Sequence, residues 1–228
     1  MRILFFASVV FANPENRTNH LDYEAEWGSQ TRARESQRTR DECNFDQLLN
    51  AQINKEFTAS YFYYSLAQKF KFHTNRRPNL AHFFEDRATE ERGHGEKLVN
   101  FQLERGVVAE FYDIKFQTAK IHDDISMLES LKISLAMEII LTDELKTLLK
   151  IAEDGCGTCK NTDDVLINSH CQAPHIAEII SSEYLPDQMK DINHLKGLIK
   201  TLSDMVEDAP RYLQLQHEMF FDKHILSQ

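Results

Sequence analysis

Glu91-Arg92-Gly93-His94 is the only Glu-x-x-His in the chain. On an α-helix, residues three apart share a face, so a carboxylate and an imidazole at this spacing can grip one metal ion. The motif alone is equally compatible with a solvated helix face. Three other segments add to it. Glu56 lies in INKEFTASY beside Ile53, Phe57 and Ala59, and Glu138 lies in LAMEIIL. A carboxylate is costly to bury unless it is paired or bound to metal, and the sequence neighbours of Glu138 are Met, Ile and Leu rather than a lysine. Gln188 lies in YLPDQMKD, where the competing reading is a solvent-facing amide. Tyr63 follows Glu56 by two helical turns on the same face; it either hydrogen-bonds the site or is a plain core tyrosine. Acids, one imidazole and an amide drawn from four helices make a hard-oxygen set with one nitrogen, which suits two iron ions in a bundle core.

Long helices must position these groups. The chain has 228 residues, 42% of them hydrophobic, with only 7 glycines and 5 prolines, a balance that favours helix. Phe45, Leu48, Leu49, Ile53, Phe57, Tyr61, Tyr64, Leu66 and Phe70 recur at helical spacing and predict a first helix ending near TNRRPN. Pro78 opens a second helix that runs to about Arg105, with Phe83, Phe84, Ala88, Leu98, Phe101 and Leu103 as its stripe and Gly106 as its C-cap. A long aperiodic connection, Val107 to Asp123, precedes a third helix over Asp124 to Ile151, whose stripe is Leu128, Leu131, Leu135, Ile139, Leu145 and Leu149. The fourth helix starts near His175 and reaches about Asp208, and a short fifth follows Pro210. The connection is long enough to span a bundle end to end, which predicts an all-α, up-down-down-up four-helix bundle plus a short C-terminal helix.

The net charge of −10 repels nucleic acid and draws cations. No apolar run reaches the roughly 20 residues of a membrane span. Residues 1–12 read as a secretory signal: basic Arg2, apolar Ile3 to Phe11 and a small-residue end at Ala12. Residues 13–43 read as a disordered polar extension carrying the sequon Asn16-Arg17-Thr18, and residues 44–228 as one domain with an insertion over 152–174.

QINKEFTASYFYYSL, EERGHGEKL, YLPDQMK and FFDKHIL resemble ferritin of the animal heavy-chain kind, over roughly Asp41 to Leu226. The resemblance implies that Glu56, Glu91, His94, Glu138 and Gln188 form a two-iron ferroxidase centre with Tyr63 beside it. It also implies oxidation of Fe(II) by oxygen, deposition of ferric mineral, and a shell of 24 subunits, alone or with other ferritin subunits. The signal and the lengthened insertion resemble a secreted or yolk-type ferritin; without a working signal the compartment would be the cytoplasm.

Departures from that family pattern are specific. A glutamate usually stands at Gly93, where with Glu90 and Glu96 it helps start the mineral; its loss predicts weak nucleation beside an intact oxidation centre. Gly95 is where a small residue is usual, and close helix approach is the simple explanation. Asp191, one turn after Gln188, either binds the second iron or is a surface acid near Lys190 and Lys196, the second being the preferred reading. Pro186 is expected to kink the fourth helix just before Gln188. Glu178 keeps one acid of the three-fold pore, Ser181 stands where a second would be, and His175 is expected at the entrance. Phe220 and His224 are expected at the four-fold axis as an apolar plug.

Cys43, Cys156, Cys159 and Cys171 give an even count, and the bundle topology places Cys43 at the end of the bundle that carries the insertion. In an oxidising compartment two disulfides are expected, in any of three pairings, against a zinc site completed by His170 or His175. A secreted helical signalling protein would share the long crossover, but it gives no role to acids embedded in apolar stripes. A two-iron oxygenase would need a second Glu-x-x-His, where this chain has Gln188-x-x-Asp191.

Overall fold

The computed structural model describes residues 45–72, 76–114, 121, 125–154 and 173–227. The proposed signal, the polar extension, all four cysteines and most of the insertion lie outside them.

Helix α1 is Phe45–Lys71, α2 is Pro78–Glu104 and α3 is Met127–Asp154. Helix α4, Ala173–Ile179, runs through a π-helical turn, Ile180–Tyr184, into α5, Leu185–Val206. Helix α6 is Arg211–His224. Ser60 Oγ donates to Ala88 O and Arg105 Nη1 to Asp46 Oδ1, so α1 and α2 are antiparallel. Lys55 meets Glu144 and Tyr63 meets Glu138, so α3 also runs against α1. Thr142 meets Gln188, while Ile176 shares one apolar cluster with Leu148 and Leu202 shares the other with Leu131, which turns α4–α5 back up. The order is up, down, down, up, as the sequence predicts.

Local chemistry sets the helix ends. Pro78 begins α2 at a position where its missing N–H is not needed. At the other end Gly106 has φ 78°, with Gly106 N–H bonded to Leu103 O and Val107 N–H to Gln102 O, a complete Schellman motif. Ser126 Oγ accepts the Glu129 N–H at 3.1 Å and starts α3. Arg77, the N-cap of α2, offers no side-chain acceptor, and Asp222 on α6 takes that role by accepting the Leu80 N–H at 2.8 Å. The C-terminal helix is thus fixed to the bundle by a tertiary cap and by the Arg77–Glu218 pair.

The apolar residues form two clusters. One, around Leu66, Phe70, Phe84, Leu131, Leu202 and Phe221, fills the α6 end. The other, around Phe45, Leu49, Leu98, Leu148, Ala152 and Ile176, fills the end where α1 starts and α3 stops. Fully burying one such side chain contributes about 1.5–3 kcal/mol. Between the clusters the core turns polar: Glu56, Glu91, His94, Glu138 and Gln188 are all buried.

Several expectations need correction. Tyr61 and Tyr64 are 57% and 53% exposed and Leu103 is 53% exposed, so they are not core. Phe62, Tyr63, Ala59 and Ala67 take the inner face of α1. Pro186 is preceded by the π turn, in which Leu185 N–H bonds to Ile180 O, five residues back. Proline has no N–H to give Ser182 O and its ring crowds that carbonyl; the wider turn accommodates both. No described helix is long and apolar enough to cross a membrane.

Candidate metal centre

Glu56, Glu91 and His94 each present a ligand atom, and these atoms all lie within 4.8 Å of one another. Glu56 comes from α1; Glu91 and His94 share a face of α2. Glu91 Oε2 and His94 Nδ1 are 3.5 Å apart, long for a hydrogen bond but suited to two ligands of one ion. Gln52 Nε2 donates to Glu56 Oε1 at 2.7 Å from one turn earlier on α1. His94 is fixed by Tyr184, whose hydroxyl donates to His94 O at 2.7 Å and whose ring lies 5.4 Å from the imidazole.

Glu138 and Gln188 extend the site across α3 and α5. Tyr63 Oη donates to Glu138 Oε1. Thr142 Oγ1 is 2.7 Å from Glu138 O and 3.0 Å from Gln188 Oε1. A hydroxyl has one hydrogen. That hydrogen is shared between the Glu138 carbonyl and Gln188 Oε1, and Gln188 Nε2 is buried without a partner among the described residues.

Glu56 Oε2 and Glu138 Oε2 are also buried without a hydrogen-bond partner among the described residues. Orphaned buried oxygens are rare in folded proteins because each costs about 1–3 kcal/mol or more. Two carboxylate oxygens in one polar layer fit a cation. The electrostatics agree. Burial first, then the charges of Glu138 and Glu56, pushes the Glu91 carboxyl well above the usual range. Burial likewise raises Glu138 from 4.5 to about 7, against the opposing Tyr63 hydrogen bond.

Asp191 is not the surface acid that the sequence favours. It is 6% exposed and pairs with Arg87, whereas Lys190 pairs with Asp187. A lysine next in sequence points off the helix in another direction; the partner came from α2. Glu90 is half-exposed and holds Arg87 at 3.0 Å, and exposed Glu96 holds Arg92 at 3.1 Å. Each of the two acids expected to start mineral is therefore paired with an arginine. Gly93 has nothing within 4 Å of where a Cβ would sit. Gly95 has Phe57 of α1 against it, with ring carbons 3.1 Å from that point. Close helix approach explains Gly95 and not Gly93.

At the ends of the chain's helical rods, His175 is exposed with its ring 5.2 Å from Phe101, and Glu178 is exposed, its carbonyl accepting from Ser181 and Ser182. Phe220 and His224 touch on α6 with ring centroids 4.7 Å apart.

Gln52, Arg87, Thr142 and Tyr184 are the site residues that sequence reasoning missed. Each lies four residues from a proposed ligand: Gln52 from Glu56, Arg87 from Glu91, Thr142 from Glu138, Tyr184 from Gln188. That one-turn spacing is the signal that marks them.

An antiparallel helical bundle that gathers acids, an imidazole and an amide into a buried polar layer is a metal-binding bundle of the ferritin-like class. The ferritin-like domain family matches residues 46–163. Over 181 residues the chain is 32% identical to the ferritin middle subunit of Salmo salar, covering 79% of this chain and 90% of that protein. It is 32% identical to the ferritin heavy chain of Aedes aegypti over 179 residues, 77% of this chain and 76% of that one. It is also 32% identical to the soma ferritin of Lymnaea stagnalis over 180 residues, 78% of this chain and 88% of that one. The chain belongs to the ferritin family, whose members bind and store iron.

Proposed function

We propose that this protein is a ferritin subunit that oxidises Fe(II) with oxygen at a two-iron centre within the subunit and passes Fe(III) to a mineral inside a multisubunit shell. The observation that carries the reading is the buried layer in which Glu56 Oε2, Glu138 Oε2 and one Gln188 amide atom lack partners beside the Glu56–Glu91–His94 group. Glu56, Glu91 and His94 hold one Fe(II). Glu138 and Gln188 contribute to the second position, with Glu91 between the two. Iron is cargo here: each ion gives one electron to oxygen and leaves. An amide and a single histidine make a weaker set than a symmetric pair of Glu-x-x-His motifs, which favours release over retention.

The chain's own groups prepare the exchange. Burial and the neighbouring carboxylates hold the Glu91 carboxyl above its usual range, so arriving iron competes with a proton there, and Tyr63 orients Glu138 by its hydroxyl. The clusters on either side keep bulk water away, which strengthens every charge interaction inside. The signal-like start supports secretion, and the family supports a shell of 24 subunits. A variant emphasis, an iron reserve with little mineral nucleation, is favoured by the Arg87–Glu90 and Arg92–Glu96 pairs and by Gly93.

Fe(II) added in air, followed by ferric absorbance and by native mass, tests the reading. Rapid oxidation by a shell, abolished in Glu91→Ala, is expected. A monomer that leaves Fe(II) oxidation at the buffer rate contradicts it.

A further inference from the structure

Arg87 sits one turn before Glu91 on α2, and Asp191 one turn after Gln188 on α5. The two helices run in opposite directions, so both residues fall on the same side of the ligand layer. Asp191 is buried and Arg87 is largely covered. One guanidinium nitrogen, Nη1, contacts both Asp191 Oδ1 and Glu90 Oε2. Side-chain exposure rises along the chain Asp191, Arg87, Glu90 from 8% through 16% to 40%, so the three lead from the centre to the surface. The Asp191 charge is felt at both Glu91 and Glu138, and that of Arg87 at Glu138.

We propose that Arg87 is a positioning residue that holds Asp191 back from the second metal position and so keeps the second ion weakly bound. This rests on the two-iron reading above. Two Fe(II) ions carry four positive charges, which Glu56, Glu91, Glu138 and Asp191 would balance in full. A guanidinium tied to Asp191 removes one of those negative charges from the ions and leaves the loaded centre cationic. Binding of the second ion draws Asp191 from Arg87, which keeps Glu90 as its partner. The pair thus opposes retention of the metal and returns to its closed state when the ion leaves.

Calorimetric titration of the assembled protein with Co(II), which does not turn over in this site, reads the two binding constants without catalysis. Arg87→Gln frees Asp191 and is expected to tighten the second ion about tenfold or more, consistent with a unit charge removed at close range. Asp191→Asn leaves Arg87 with Glu90 alone, removes a negative charge beside the second position, and is expected to weaken the second ion by a similar factor. The double variant falls between, and the first ion moves less in all three. A merely structural pair would weaken binding in both single variants. An unchanged or weaker second constant in Arg87→Gln overturns the proposal, as does an unchanged one in Asp191→Asn should the arginine variant not fold. Persistence of the full Arg87→Gln gain in the double variant also overturns it, since Asp191 would then play no part. If the wild type takes up fewer than two ions, the two-iron reading falls and takes this inference with it; two ions in the wild type with unshifted variants sink this inference alone.

Discussion

Gly95→Ala, set against Gly93→Ala, isolates what holds α1 and α2 at the distance the centre needs. Both glycines are inside α2, so either alanine gains about 1 kcal/mol of helix propensity. That gain cancels when the two variants are compared. Around Gly93 there is open space, whereas a Cβ at Gly95 meets two Phe57 ring carbons at 3.1 Å and a third at 3.3 Å. Ordinary carbon contacts lie near 3.5–4.0 Å, so the ring or its helix must give by a few tenths of an ångström. Phe57 is wedged there, also facing Phe111 at 6.0 Å between centroids. Overpacking of this kind costs about 1–3 kcal/mol. Gly93→Ala is therefore expected to be more stable than wild type by about 1 kcal/mol, and Gly95→Ala to fall below Gly93→Ala by about 1–3 kcal/mol. At about 2–4 °C per kcal/mol for a chain of this size, the variants separate by roughly 2–12 °C in Tm. Phe57 follows Glu56 and Gly95 follows His94, so the same displacement separates two of the ligands proposed for the first ion. Calorimetry should show Co(II) bound more weakly in Gly95→Ala and unchanged in Gly93→Ala. Equal Tm values for the two variants would refute the packing argument, and equal Co(II) affinities would refute its link to the site.

Gly93→Glu adds an acid between Glu90 and Glu96 where space is open; core growth per iron oxidised should rise while the initial oxidation rate stays the same, measured by separate absorbance and core-size assays. Asp222→Ala removes the acceptor for the Leu80 N–H and should cost about 1–3 kcal/mol, with hydrogen exchange rising at the start of α2; unchanged exchange there would refute the tertiary cap. Zn(II) binding should release more protons at pH 6 than at pH 8 in a pH-stat, because the folded Glu138 pKa is raised from 4.5 to about 7. By the same sign, this group's burial costs the metal-free fold nothing below about pH 4.5 and progressively more as pH rises through 7, so metal should stabilise the protein more at pH 8 than at pH 5.

Much of this was legible in the sequence, for identifiable reasons. The helices follow from long apolar periodicity with punctuation at Pro78, Gly106 and Pro210, and each of those residues sits at a helix boundary. Glu56 and Glu138 stood out because a charge inside an apolar stripe demands a reason. Tyr61 and Tyr64 fit the α1 stripe by spacing yet are exposed, because this helix carries aromatic residues on its outer face too, and spacing alone does not pick the inner one. The partners one turn from the ligands, Gln52, Arg87, Thr142 and Tyr184, look like ordinary polar or aromatic positions until the facing helix is known. Asp191 shows the same limit: a lysine lay nearer in sequence, and an arginine lay nearer in space. Pro186 signals a disturbed helix, but only the backbone shows that the response is a π turn that ends on Tyr184, against His94.

The proposed function requires the four rods of the bundle to gather a buried pair of iron positions. Crystals of the protein soaked anaerobically in Fe(II), with anomalous differences measured at the iron edge, test it most directly. Two peaks are expected in the core: one bounded by Glu56, Glu91 and His94, the other beside Glu138 and Gln188. Iron found solely at surface carboxylates such as Glu96 or Asp204, with no peak within reach of Glu91, would contradict it.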